Sequence, residues 1–394
     1  MKRRSKIILA AVAASLAFCV IAFSDEIRYL TNSINANAIC FPDSSKDKIS
    51  FIIAENGTYD NEKVSLQISK YFDSVKKDLS IDNAGIKKFP GKTVDELDKF
   101  VDDLYLNDDV GYIILLGDNL PVANVTENDA TNQAAIYEKL SCVNGDCLVR
   151  KERGDSPTVT GQEAYYRCHD VAISYILPPI PYSDSEKIDF VLKILETYTD
   201  YHNNFATHIG KYQKSMLHIA DPYFVGDCLK SSIDNPILRY DLPVITISGT
   251  EREKVFDELK NKYLILHYGI HGSTWILQLT NGCSNESIQP QTLRLSEYSN
   301  FTKEYGTPAL FVAPGACEAM TIRDDLDPWE LSKYPERRHC CWPQIFMESG
   351  AWAYYYMPHG RGNTFLYEKT IGLAIRKSNV EQFFIFGDIL AHMR

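Results

Sequence analysis

Short apolar runs alternate with amphipathic segments along most of the chain. Residues 49–54, 112–116 and 216–220 are largely apolar, the pattern of strands buried in a parallel sheet. Between the first two runs, apolar residues recur every three or four positions through residues 61–77, as in an amphipathic helix. This alternation predicts an α/β fold, with a parallel sheet covered by helices on both faces.

Two capping boxes mark where further helices begin. Thr93 with Glu96, and Ser183 with Glu186, have the spacing at which a hydroxyl and a carboxylate each accept a backbone N–H of the first helical turn. Apolar periodicity follows both pairs. Further strands are predicted at residues 244–248 and 351–357, and further helices at 342–349 and 366–377.

The N-terminus predicts a signal peptide or a signal anchor over residues 1–24. Basic residues at positions 2–6 precede an uncharged, largely apolar run over residues 7–23. That run is shorter than the roughly 20 residues of a comfortable membrane span. Cleavage would give a secreted, periplasmic or cell-surface protein, and retention would tether the protein to a membrane through residues 7–23.

The rest of the chain reads as one folded region after a polar lead-in. Residues 25–47 are rich in loop-forming residues, and residues 48–394 carry the alternating pattern. Within them, residues 119–182 break the rhythm and are interpreted as an insertion. The formal net charge of −11 argues against a nucleic-acid partner, which requires a basic face.

Cysteine usage agrees with export. Removing Cys19 with the signal and setting Cys317 aside leaves eight of the ten cysteines, an even number that favours disulfides. Cys142 and Cys147 are the first candidate pair, because the intervening Asn-Gly favours a tight turn. The alternative is a zinc site formed by Cys142, Cys147, Cys168 and His169.

Two further apolar runs each stop at a reactive side chain. Residues 264–270 lead into His271 and Gly272, and residues 309–316 lead into Cys317. The carboxyl ends of neighbouring parallel strands share one edge of a sheet, so a thiol nucleophile and its base would meet there. The backbone N–H groups of Gly272 and Cys317 would form an oxyanion hole, since glycine has no Cβ to block access.

Four stretches in this order resemble the gingipain family of cysteine peptidases, which has a caspase-like fold. They are Tyr-Ile-Ile-Leu-Leu-Gly-Asp at 112–118, Ile-His-Gly-Ser-Thr-Trp at 270–275, Gly-Ala-Cys at 315–317 and Phe-Ile-Phe-Gly-Asp-Ile-Leu at 384–390. The resemblance covers residues 48–394 and implies a caspase-like sandwich around a parallel sheet. It further implies an exported cysteine endopeptidase that acts on proteins or peptides.

The resemblance also implies roles for particular residues. Cys317 would be the nucleophile that forms a thioester, His271 the general base and acid, and Trp275 a substrate contact. Arg361, in a glycine-flanked loop after the 351–357 strand, would border the substrate cleft and pair with an acidic side chain.

The chain departs from the family pattern at several positions. Ile270 stands where the family has Gly, Glu318 begins a stretch that lacks the family's Gly after the Cys, and Ile389 replaces a Pro. These departures leave a second hypothesis open: a catalytically silent domain of the same fold that serves as an exported or surface binding module.

No cofactor is expected to be required. The acidic residues Asp324, Asp325 and Asp327 would suit a structural Ca²⁺ ion, with a solvated acidic loop as the alternative. No His-Glu-x-x-His motif is present, so a metal-dependent hydrolase is not predicted and no other metal ligands are assigned.

Overall fold

The computed structural model describes twelve parts of the chain. They are residues 42–123, 136–137, 139–145, 148–150, 165–167, 169–223, 242–272, 276–283, 287–314, 341–356, 368–377 and 384–393. The signal or anchor segment expected at residues 1–24 lies outside them. Within these parts, no helix has the length and apolar character needed to cross a membrane.

Fifteen strands and eight α-helices are assigned in these parts. The strands are β1 Lys48–Ala54, β2 Asn83–Phe89, β3 Val110–Leu116, β4 Leu148–Arg150, β5 Tyr165–Arg167, β6 Ala172–Ile176, β7 Gln213–Ala220, β8 Val244–Ser248, β9 Tyr263–Gly269, β10 His271–Gly272, β11 Ile276–Thr280, β12 Gln291–Arg294, β13 Ala309–Pro314, β14 Ala353–Tyr356 and β15 Phe384–Gly387. The helices are α1 Glu62–Leu79, α2 Val94–Asp108, α3 Asp184–Asn203, α4 Phe205–Ile209, α5 Arg252–Leu259, α6 Leu295–Tyr305, α7 Trp342–Ser349 and α8 Ile371–Lys377.

Ten of the strands form one sheet in the order β2-β1-β3-β6-β15-β14-β13-β9-β7-β8. Neighbouring strands in this sheet run parallel except for β14 and β15, which are antiparallel. The sheet therefore has two parallel halves that point in opposite directions. The predicted α/β class with a large, mostly parallel sheet is confirmed, but the reversal between β14 and β15 was not predicted.

The first half of the sheet is covered on both faces. The chain passes from β1 through α1 to β2, then returns through α2 to β3 on the other side of β1. Because parallel crossovers are right-handed, these opposite movements place α1 and α2 on opposite faces. Helix α3 packs against α1. Strand β3 is buried along its whole length, as its uninterrupted apolar sequence requires.

Both capping boxes form at the predicted positions. The Thr93 and Ser183 hydroxyls accept the N–H of Glu96 and Glu186, whose carboxylates in turn accept the cap N–H.

Strand β6 lies inside the range interpreted as an insertion, yet it pairs with β3 and β15 in the main sheet. Strand β2 and helices α5 and α6 were not predicted, and the last predicted helix begins only at Ile371.

Candidate active site

Strands β9 and β13 are neighbours in the sheet and end at the same edge. They run parallel, with Leu266 opposite Val312 and Tyr268 opposite Pro314. The side chains of Leu266 and Val312 are both fully buried, at 0% exposed. The sequence predicted two adjacent parallel strands, one leading to His271 and the other to Cys317. The structure contains both strands and describes the second as far as Pro314.

His271 begins the short strand β10 directly beyond β9. In a small antiparallel sheet, His271 pairs with Gln278 of β11 and Gly272 pairs with Leu277, while β11 also pairs with β12. His271 and Gly272 are both partly exposed. A hairpin rather than a free loop thus holds the candidate base at the sheet edge.

Close backbone packing fixes this hairpin against the main sheet. A Cβ on Gly249, just after β8, would lie 1.7 Å from the Leu279 carbonyl oxygen, so only glycine fits there. The Asp221 carboxylate, just after β7, accepts the N–H of Tyr223 and the N–H of Asn281, both at 2.9 Å. Neither Gly249 nor Asp221 was predicted to support the site, because the residues around them in the sequence do not indicate what they contact.

Two histidines are register partners on the adjacent strands β7 and β9; His218 is buried and His267 is half-buried. His218 Nδ1 and His267 Nδ1 are 2.9 Å apart, so one donates and the other accepts. Burial lowers the pKa of His218 to about 4 and, together with the adjacent His218, lowers the pKa of His267 to about 3. Gly269 leaves room for the His218 ring, because a Cβ there would lie 2.8 Å from His218 Cε1.

The two Gly-Asp motifs of the family resemblance lie at the opposite edge of the sheet. Gly117 directly follows β3 and Gly387 ends β15, with φ angles of 101° and 105° that favour glycine. The following Asp118 accepts the Tyr59 hydroxyl at 2.7 Å and pairs with Lys187 at 2.5 Å. These contacts join the strand ends to the helices above them, which is a structural role.

Asp388 is the centre of a buried polar network. Its carboxylate accepts the Tyr71 hydroxyl at 2.6 Å, Trp352 Nε1 at 2.7 Å, His202 Nε2 at 2.9 Å and the Leu390 N–H at 2.9 Å. Burial opposes ionisation, but His202 and the other donors outweigh it and lower the pKa of Asp388. The Asp388 N–H donates to the Trp352 carbonyl just before β14. The network is therefore far along the strands from His271.

His202 connects Asp388 to two further residues. His202 Nδ1 lies 2.7 Å from Asp78 Oδ2, and His392 Nε2 lies 2.8 Å from the same oxygen. Burial lowers the pKa of His202, but the Asp388 and Asp78 carboxylates reverse this and raise the pKa to about 9. The sequence analysis assigned no role to these residues, which are separated by long stretches of chain.

Several predicted site residues lie outside the described parts of the chain. They are Cys317, Trp275, Arg361, Cys147 and Cys168, together with the acidic residues Asp324, Asp325 and Asp327. Their roles stay predictions.

Three cysteines within the described parts of the chain test the expectation that the protein contains disulfides. Cys142 and Cys283 each take part in a disulfide bond. A bonded Cys142 has no thiolate to give to zinc, so the alternative zinc site with His169 is excluded in this form. His169 instead lies 2.7 Å from the Ser141 hydroxyl. Cys341 is a buried thiol, so it is not disulfide-bonded as the even remainder of eight cysteines suggested.

Comparisons with known proteins give a consistent fold. No protein-family model and no curated protein sequence matches the chain. The structure is similar to the Arg-specific cysteine proteinase gingipain R, with a TM-score of 0.52 and 14% identity over 90% of this chain and 80% of that one. It is also similar to the complex of the pro- and mature domains of RgpB from Porphyromonas gingivalis, with a TM-score of 0.50 and 14% identity over 88% and 80%.

A third solved structure, described as a protease, has a TM-score of 0.51 and 12% identity over 88% of this chain and 78% of that one. At these identities the likeness concerns the fold. The chain has the caspase-like fold of the gingipain R cysteine proteinases.

Proposed function

We propose that this protein is an exported cysteine endopeptidase with Cys317 as its nucleophile and His271 as its general base and acid. Its substrates are proteins or peptides. The caspase-like fold supports a cysteine peptidase, and the proposal extends this to catalytic activity in this particular chain.

The register of β9 against β13 is the observation that carries the proposal. Tyr268 lies opposite Pro314. His271 is three residues after Tyr268, and Cys317 is three residues after Pro314. Continuation of the two adjacent chains over equal lengths would bring the thiol and the imidazole to the same point of the edge, within reach of a proton transfer.

The proposed reaction proceeds in two stages. His271 takes the Cys317 proton, and the thiolate attacks the scissile carbonyl carbon. The resulting oxyanion is held by the backbone N–H groups of Gly272 and Cys317. When the C–N bond breaks, His271 gives its proton to the leaving amine and a thioester remains. His271 then takes a proton from water, the hydroxide attacks the thioester, and the thiol is restored as the acid product leaves.

Export follows from the basic and apolar pattern of residues 1–24 and agrees with the disulfide-bonded Cys142 and Cys283. The protein would be secreted, periplasmic or at the cell surface, or held to a membrane by residues 7–23. Trp275 and Arg361 remain the proposed substrate contacts. A structural Ca²⁺ ion at Asp324, Asp325 and Asp327 remains an additional hypothesis.

Peptide hydrolysis by matched variants tests the proposal. The purified protein is assayed against a library of fluorogenic peptides under mild reduction. We expect kcat/KM to fall at least about 10³-fold in Cys317→Ala and at least about 10²-fold in His271→Ala, because each removes a member of the dyad. Cys341→Ala, which removes another thiol, should retain activity. Equal activity in Cys317→Ala and the parent protein would refute the assignment.

The alternative binding-module function is favoured by one feature. Ile270, where the resemblance expects Gly, is fully buried in the core directly before His271. A folded protein that hydrolyses no peptide of the library, but binds one or more of them, would support the silent module over the peptidase.

A further inference from the structure

Three potential metal ligands converge away from the proposed active site. Asp78, His202 and His392 each present one ligand atom, and these atoms all lie within 4.8 Å of one another. Asp78 is in the last turn of α1, His202 is in the last turn of α3, and His392 follows β15. The side chains of His202 and His392 are 0% and 1% exposed, and that of Asp78 is 16% exposed.

The surroundings of His202 match those of a metal-bound histidine. Its Nδ1 faces Asp78 Oδ2, while its Nε2 lies 2.9 Å from Asp388. Histidine ligands usually donate their second ring N–H to a carboxylate, which fixes the tautomer and the ring orientation. The Tyr71 and Trp352 side chains hold Asp388 in place, so the carboxylate partner is itself positioned.

The charges of the cluster also favour a cation. Asp78 and Asp388 bring two carboxylates into the interior, and buried charges require compensation. In the metal-free protein, protonated His202 balances one of these charges. A divalent cation beside Asp78 would displace that proton and balance both carboxylates.

We propose that Asp78, His202 and His392 form a zinc site that joins α1, α3 and the C-terminal segment. Two imidazole nitrogens and one carboxylate oxygen are typical zinc ligands, with water as the fourth, whereas Ca²⁺ takes oxygen ligands. Ligand atoms around tetrahedral zinc are about 3.3 Å apart, given bonds of about 2.0–2.1 Å. The present separations of 2.7 and 2.8 Å from Asp78 Oδ2 need only a small outward movement of the side chains.

The competing interpretation is a cluster held together by protons alone. In that case the short contacts to Asp78 are ordinary hydrogen bonds and the protein has no particular affinity for zinc. The two interpretations differ in a measurable quantity, the stoichiometric uptake of metal.

Metal binding is measured on the full chain carrying Cys317→Ala, so that zinc cannot bind the proposed catalytic thiol. The protein is treated with EDTA, dialysed, and titrated with Zn²⁺ and separately with Co²⁺. We expect one metal per chain, a higher Tm with zinc, and the visible spectrum of four- or five-coordinate Co²⁺. His392→Gln and Asp78→Asn should weaken zinc binding at least tenfold.

The matched control is His208→Gln. His208 Nε2 lies 2.7 Å from Asp200, and among the residues that the structure describes this His–Asp pair belongs to no group of three potential metal ligands. This variant should bind one zinc as the parent does. Uptake of no metal, a six-coordinate Co²⁺ spectrum in the parent, or unchanged affinity in a folded His392→Gln variant would overturn the proposal. Peptidase activity plays no part in these readouts, so failure of the proposed function would leave the result unaffected.

Discussion

Tyr268 of β9 and Pro314 of β13 are register partners in adjacent parallel strands. His271 lies three residues after Tyr268, and Cys317 lies three residues after Pro314. A peptidase dyad needs the two side chains within hydrogen-bond reach, and equal continuation of neighbouring strands is a simple way to meet that need. The hairpin that carries His271 then becomes a target for mutation.

Gly249→Ala should impair catalysis through the hairpin. An added Cβ would lie 1.7 Å from the Leu279 oxygen, so β11 must shift and carry β10 and His271 with it. We expect kcat to fall at least about tenfold, because displacements of about 1 Å in catalytic groups can cost about 10²-fold. The control is Gly210→Ala, whose Cβ would lie 3.2 Å from its nearest neighbour, the Ala206 oxygen. Unchanged kcat in a folded Gly249→Ala variant would show that the hairpin position does not matter.

Asp388→Asn should strongly destabilise the metal-free fold. It removes the buried charge that accepts hydrogen bonds from Tyr71, Trp352 and His202. Breaking such a network costs about 3–5 kcal/mol in the free energy of unfolding, which urea denaturation after EDTA treatment would measure.

The control for this prediction is Asp200→Asn. Asp200 pairs with His208 at 2.7 Å, but its side chain is 54% exposed. Its loss should cost less than about 1 kcal/mol. Equal effects of the two substitutions would mean that the Asp388 network contributes no more than a surface pair.

Acidification should destabilise the protein between pH 6.5 and 4 through His218 and His267. Their folded-state pKa values are about 4 and about 3, below the unfolded value of about 6.5, so the unfolded state binds more protons in this window. Stability is therefore complete above pH 6.5 and falls as the pH decreases. At pH 5 the expected loss is about 2 kcal/mol for each histidine.

Urea unfolding at pH 7.5 and pH 5 measures this loss. The loss between these pH values should be about 2 kcal/mol smaller in His218→Gln than in the parent, because other groups, including His202 with its opposite effect, are the same in both proteins. An equal loss in the two proteins would contradict a neutral His218 in the folded state.

The number of free thiols per mature chain should be odd and at least three. If Cys19 leaves with the signal, nine of the ten cysteines remain. Cys341 is a thiol and Cys317 is proposed to be one, which leaves seven, so at least one more cannot pair within the chain. Ellman titration of the denatured, unreduced protein measures this number. A count of one would place Cys317 or Cys341 in a disulfide.

Local patterns in the sequence were sufficient to predict several strands of the main sheet, including the two that lead to the candidate site. The runs in β3, β9 and β13 are apolar because these strands are buried on both faces, and periodicity reports that burial directly. The capping boxes at Thr93 and Ser183 are equally local, since both partners lie within one helical turn.

Contacts between distant parts of the chain were not predictable in the same way. Asp78, His202 and His392 come together only after α1, α3 and the C-terminal segment have packed, and none has a motif around it. The reversal of direction between β14 and β15 likewise depends on where the strand enters the sheet, which a short apolar run does not specify. Asp388 belongs to one of the four stretches that resemble the gingipain family, but that stretch does not indicate which residues hydrogen-bond to Asp388.

Active-site labelling tests whether Cys317 and His271 form a catalytic dyad. The purified, mildly reduced protein is treated with a peptidyl acyloxymethyl ketone, which alkylates a nucleophilic cysteine in a peptidase site, and the adduct is located by mass spectrometry. The account predicts one adduct per chain on Cys317, lost in Cys317→Ala, slowed at least about 10²-fold in His271→Ala, and retained in Cys341→Ala. Labelling that persists in Cys317→Ala, or that spreads equally over other cysteines, would contradict the assignment of Cys317 and His271 as the catalytic dyad.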